Sequence, residues 1–162
     1  MAKQNEQVAH SDLVDSSDCI LHSHSHVHKG GVNLLASVTS NSSGAAPATY
    51  ADMPDMTSGS VFVVDNDSVV MLIACVTLDA VNDNTALLRF AVDGSRVGPE
   101  LQIFSDAPGP DTGSTTIIWA MTGVGGEHTF TLQWRRILYT PILDIYRVRS
   151  FQVIEYVDVY DF

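Results

Sequence analysis

From Val32 onward the chain is a succession of short apolar stretches, each cut off by Gly, Pro, Asn or Asp, and none carries apolar residues at the spacing of an amphipathic helix. That pattern constrains the fold more than any other feature. Without a helix long enough for a crossover connection, a parallel sheet is not available, and the chain has to be built from antiparallel strands joined by turns.

Read in order, "VNLLASVT" predicts a first strand, and "SNSSGAAPATYADMPDMTSGS", rich in small residues and holding two prolines, predicts a long loop. "SVFVV", "DND" and "SVVMLIACVTL" predict a strand, a tight turn and a near-continuous apolar strand. A strand without polar alternation is expected where protein covers both of its faces, so this one is placed at the centre of a sandwich. In "NTALLRFAVDGSRVGPELQIF" the pair Asp93-Gly94 separates two β-rich runs. It predicts a hairpin, because Gly accepts the positive φ that two-residue turns require.

A second loop, "SDAPGPDTGS", leads into "TTIIWAMTGVGGEHTFTLQWRR", where His128, Phe130, Leu132 and Trp134 alternate with Thr129, Thr131, Gln133 and Arg135. Such alternation predicts a strand with one face on a core and one in water. The closing "RSFQVIEYV" sets Phe151, Val153 and Val157 on one side and Gln152, Ile154 and Tyr156 on the other. Both sides are partly apolar, and one is expected to meet a neighbour. About eight such strands predict an all-β fold, an antiparallel β-sandwich of jelly-roll type. It is assigned to residues 32–162, with residues 1–31 as an extended N-terminal arm.

A chain of 162 residues, 45% of them hydrophobic and 17% charged, fits one domain with a core of its own plus an appendage. Its formal net charge of -11 repels phosphate backbones and anionic membrane surfaces, so neither nucleic acid nor membrane is expected as a direct partner. The opening "MAKQNEQVAHSDLVDSSD" lacks the apolar core of a secretion signal, and "VVMLIACV" is too short to cross a bilayer. Synthesis in the cytoplasm is therefore expected. Cys19, in a polar leader, and Cys75, in an apolar run, are expected as free thiols.

The leader holds "LHSHSHVHK", with His22, His24, His26 and His28 at every second position. In an extended chain these four imidazoles form one row. Imidazole suits zinc, iron and nickel, but a row on one straight strand leaves half of any ion's coordination sphere open. Three copies meeting on a threefold axis close it, each supplying two consecutive same-side histidines to an octahedral cage. An inter-chain metal site of Fe, Ni or Zn on these residues thus implies a homotrimer. The competing reading is a polar tether whose histidines only hydrogen-bond water or a partner surface.

Other chemistry is weaker. His128 opens a strand on its apolar side with no nucleophile and orienting acid in a recognisable arrangement near it, so it is read as a packing residue. "TGVGGEH" opens onto a strand, whereas a phosphate-cradling loop opens onto a helix. Asp65 and Asp67, and Asp79 and Asp83, lack the spacing of a calcium loop and are read as turn residues. Arg135, Arg136, Arg147 and Arg149 carry half of the chain's positive charge. They either dock on an acidic neighbour or are solvated or internally paired.

Three motifs stand out together: the "FAVDG" hairpin, the "GEHTFTLQW" strand and the closing "SFQVIE" strand. As a set they resemble small β-sandwich domains of tailed-bacteriophage structural proteins, over roughly Val32 to Val157. The "HSHSH" leader is similar to segments of phage tail fibres, although the chain has no repeats and no shaft. The resemblance implies a non-enzymatic virion structural protein, made in the host cytoplasm: a capsid decoration unit, trimeric, attached by its arm to a major capsid or tail protein. Two alternatives stand beside it. One is a tail-fibre or adhesin knob; the other is a carbohydrate-binding module in which Trp119 or Tyr50 stacks on sugar. Exposed aromatics favour binding and buried ones favour structure.

Overall fold

The fold is given by a computed structural model that describes residues 31–42, 44–81, 85–104, 110–137, 143–145 and 149–157. The strands are β1 (Gly31–Ser40), β2 (Gly44–Ala45), β3 (Ala51–Val63), β4 (Val69–Val81), β5 (Thr85–Val92), β6 (Ser95–Phe104), β7 (Pro110–Met121), β8 (Gly126–Arg136), β9 (Leu143–Ile145) and β10 (Arg149–Val157). All pairings are antiparallel. In sheet A, β10 and β4 lie at the centre, with β1 outside β10 and β7 on the other side of β4; the short β9 and β2 extend it. Sheet B runs β3-β8-β5-β6. Counting only the eight long strands, the sheets read 1-8-3-6 and 2-7-4-5, the doubled Greek-key order of a jelly roll.

The core lies between the sheets and is filled by alternate residues of each strand. From sheet A come Val70, Leu72, Ala74, Phe151 and Val153; from sheet B come Phe90, Phe130, Leu132 and Trp134. Phe90 and Phe151 stack across the sandwich with centroids 5.9 Å apart, an arrangement that adds about 1 kcal/mol to simple burial. The hairpin forms as expected: Asp93 and Gly94 have φ of 49° and 78°. Two successive positive values are what a tight turn matched to strand twist demands.

Four expectations are corrected. The stretch read as a long loop contains β2 and most of β3, residues 51–60, which runs on into the strand expected at "SVFVV". Its irregular backbone hid the strand: Pro54, Asp55 at φ 59° and Gly59 at φ 72° are taken up by register shifts against β8. An edge position tolerates them, and Met53 and Met56 still reach the core. The second loop likewise yields its end to β7, which opens on Pro110, an allowed first position of an edge strand.

Strand β8 is not half-solvated. Thr131 and Gln133 are buried as well, because long side chains roof them: Arg89 Nε donates to Gln133 Oε1 at 2.9 Å, and Gln133 Nε2 donates to Asp52 Oδ1 at 3.0 Å. Strand β4 departs the other way. Val70, Leu72, Ala74, Val76 and Leu78 are buried, but Val69, Met71 and Ile73 are only half-buried and Cys75 is exposed. One of its apolar faces has no cover among the described residues.

Candidate interaction surface

Register places that uncovered face residue by residue. Outward-facing positions of sheet A fall in rows across β1, β10, β4 and β7. Leu34, Ile154, Met71 and Ala120 form one row, and Gln152, Ile73 and Ile118 another. Val32, Tyr156 and Val69 lie above them; Thr39, Ser150, Cys75 and Thr116 lie below. Val32 is 65% exposed, and Leu34 and Ile118 are each 59% exposed. From the level of Val69 to that of Thr77 the described residues of the face include no Asp, Glu, Lys, Arg or His. Cys75 is a free thiol here, its Sγ 3.2 Å from Thr116 Oγ1.

Two buried charges anchor the inner side of β10. Arg149 is 1% exposed. Its Nη1 donates to the Ser42 carbonyl at 2.6 Å, Nη2 to Ser42 Oγ at 2.8 Å and to the Pro54 carbonyl at 2.6 Å, and Nε to the same carbonyl at 3.1 Å. Asp55 Oδ2 stands 3.7 Å away and accepts from Ser42 Oγ at 2.6 Å and Ser40 Oγ at 2.7 Å. Those hydroxyls, Ser42 first, hold the Asp55 carboxyl below its ordinary value. Burial lowers Arg149, opposed by the Asp55 charge. At the other end, Glu155 is fully buried and accepts from Asn33 Nδ2 at 3.0 Å and from the Val64 N–H at 2.7 Å. Both charges serve as fasteners between strands, with their hydrogen-bonding capacity directed inward.

The remaining sites read from sequence disperse. His22, His24, His26 and His28 lie outside the described residues, as do Cys19, Asp83 and Arg147. The described members of the arginine run diverge: Arg149 is interior, and Arg135 lies 4.9 Å from the Tyr50 ring. Asp65 and Asp67 are turn residues, with the Asp67 N–H donating to Asp65 Oδ1 at 3.1 Å. Asn66 between them accepts the Gly125 N–H on its side chain at 2.9 Å.

His128 sits at the end of sheet B with Nδ1 2.7 Å from Asp93 Oδ2 and Nε2 3.4 Å from the Gly125 carbonyl. The Thr129 N–H donates to Asp93 Oδ1 at 2.9 Å. The bond to Asp93 raises the His128 pKa above its ordinary 6.5, against a smaller opposing effect of burial. The same bond, with that from Thr129, holds Asp93 below 3.8. Both ring nitrogens are engaged within the protein, and the pair fastens the Asp93-Gly94 turn to β8.

Neither aromatic proposed for sugar stacking presents an open ring. A Cβ on Gly98 would lie 2.7 Å from Trp119, so the indole packs directly on the β6 backbone. The Arg89 guanidinium covers Tyr50 at 3.6 Å from its centroid. Proximity to Gly98 is invisible in the sequence, as is the Arg89 cap. Among the described residues the most exposed aromatic ring is Phe62, 65% accessible, whose β8 partner Glu127 accepts from Ser60 Oγ at 2.6 Å.

No family model matches the sequence, and no curated protein matches it. Among solved structures, a family 35 carbohydrate-binding module from Clostridium thermocellum is 13% identical over 74% of this chain and 97% of that one, with a TM-score of 0.34. The CBM35 from Paenibacillus barcinonensis is 16% identical over 78% and 94%, at 0.32. An acetyl xylan esterase from the rumen bacterium Butyrivibrio proteoclasticus is 16% identical over 85% of this chain and 33% of that one, at 0.22. Similarities this distant carry no argument about what the chain binds, and its jelly-roll assignment rests on its own strand order.

Proposed function

We propose that the chain is a non-enzymatic structural protein of a tailed-phage particle: a capsid decoration unit with the sandwich as its outer body and residues 1–31 as its anchor. One observation carries the reading, the uncharged apolar outer face of sheet A on a chain of net charge -11. Apolar patches of several hundred Å² on soluble proteins mark places where another surface docks. A decoration unit uses such a surface to add contact area across an assembled shell, which stabilises the assembly because only the assembled state is bound.

The test is particle purification from the source of the sequence, followed by mass spectrometry and a low-resolution image. The chain is expected at high copy number on the capsid, and a form lacking residues 1–30 is expected to fold yet fail to attach. Its absence from purified particles would overturn the reading. A second reading, sugar binding by a tail knob, is favoured by the open Phe62 ring beside the Glu127 carboxylate. Retention on a glycan array that disappears in Phe62→Ala would decide for it.

A further inference from the structure

We infer that the outer face of sheet A is closed by a second copy of this chain. The inference rests on the assembly reading above and names the occupant of the same surface.

Charge is the first ground. Two copies bring together chains of net charge -11 each. Like charges resist such an approach, and pairing over a carboxylate-bearing surface would also strip water from the carboxylates. The outer face of sheet A avoids both penalties between Val69 and Thr77, where its side chains are aliphatic, hydroxyl, thiol, thioether, amide or phenol. On contact, none of the described carboxylates lies within that footprint.

Size is the second ground. Four strands about 4.8 Å apart, carrying five same-side rows about 7 Å apart, make a footprint of about 500 Å². Two such faces bury about 1,000 Å² together, the lower bound for a specific interface. The centre is Met71, Ile73, Ile118 and Ile154, with Tyr156 toward one end and hydroxyls toward the other. An apolar middle with an aromatic and a polar margin is the anatomy of a protein interface. The chain's own leader is the poorer occupant. In residues 1–30 the aliphatic side chains Val8, Leu13, Val14, Ile20, Leu21 and Val27 are scattered among Ser, Asp, His and Gln, a composition that does not cover a flat apolar sheet.

Cys75 lies on this face and reports on it. In a Cys19→Ser background of the full-length protein, a maleimide is expected to modify Cys75 about tenfold more slowly when the chain is raised from about 1 to about 100 μM, because association sequesters the thiol. Light scattering over the same range is expected to move from one chain mass to two or three. Two masses mean a twofold pairing of faces and three mean a threefold wedge, and either carries the inference. Ile118→Lys places a charge at an already exposed position, so it is expected to hold the protein monomeric and restore fast modification with the thermal midpoint nearly unchanged. Should that variant fail to fold, Ile118→Ser reads the same change with no new charge.

A chain that stays monomeric with Cys75 fully reactive at about 100 μM overturns the inference. So does protection that is independent of concentration and vanishes on removal of residues 1–30, which would give the face to the leader. If monomeric chain still decorates particles and Ile118→Lys abolishes that decoration, the occupant is another virion protein; the inference then fails and the assembly reading stands.

Discussion

The two faces of sheet A are both apolar, and they are apolar for opposite reasons. Inward, Leu72, Val153 and Phe151 are sealed against sheet B, and the buried charges of β10, Arg149 and Glu155, are held by hydrogen bonds to neighbouring strands. Outward, Met71, Ile73 and Ile118 have equivalent side chains with no sheet over them among the described residues. Within one domain a polar residue at every second position would have sufficed for the outer face. The contrast teaches that apolar character on a strand records all the surfaces that cover it, including those contributed from outside the chain.

The largest test of that contrast swaps neighbours on β4. Leu72→Ala is expected to lower the unfolding free energy by about 3 kcal/mol, through lost burial and a cavity. Ile73→Ala, one residue along and facing out, should cost less than about 1 kcal/mol at concentrations where the chain is monomeric. Urea titration reads both, and equal losses would mean that the outer face is already covered within the monomer.

A smaller effect sharpens the comparison on β10. Glu155→Ala removes the buried carboxylate that accepts from the Val64 N–H and the Asn33 amide, two hydrogen bonds to a charged group, and is expected to cost about 2 kcal/mol. Gln152→Ala on the outer side should change stability by no more than about 0.5 kcal/mol. Partial recovery in Glu155→Gln, which keeps one acceptor oxygen, would confirm that hydrogen bonding sets the loss.

The smallest effect lies on sheet B and is a control, since among the described residues the outer face of sheet A carries no Asp, Glu or His between Val69 and Thr77. With the His128 pKa raised above 6.5, its contribution is full below that value and is lost as pH rises through the folded pKa. With Asp93 held below 3.8, its contribution is present above that value and is lost as pH falls through its folded pKa. The pair therefore supports the fold most between these limits. Asp93→Asn, which tolerates the positive φ of the turn, should flatten both arms of a stability-against-pH curve. Unchanged arms would assign the pH dependence to other groups.

Strands β1, β4, β8 and β10 and the Asp93-Gly94 turn were legible because apolar periodicity and turn chemistry are local. Strand β3 was not, since Pro54 and two positive-φ residues mask a strand whose core contacts are Met53 and Met56. The buried role of Arg149 was equally hidden: its partners are the carbonyls of Ser42 and Pro54, about a hundred residues earlier. For the outer face, the run "VVMLIACV" correctly announced two apolar sides. What it could not convey is that the described residues cover only one of them.

Strand β1 pairs with β10 along its length, and Asn33 bonds Glu155 across 122 residues of chain. On the ribosome, then, the first strand of the sandwich emerges long before the partner that completes it. Until β10 is synthesised, sheet A has a gap between β1 and β4, and the apolar edges on either side of that gap are open to wrong pairings. The last strand acts as the closing member of the barrel-like shell. Its late arrival makes the interval before β10 pairs the period in which a holding chaperone, or a neighbouring nascent copy, has most influence on the yield of folded protein.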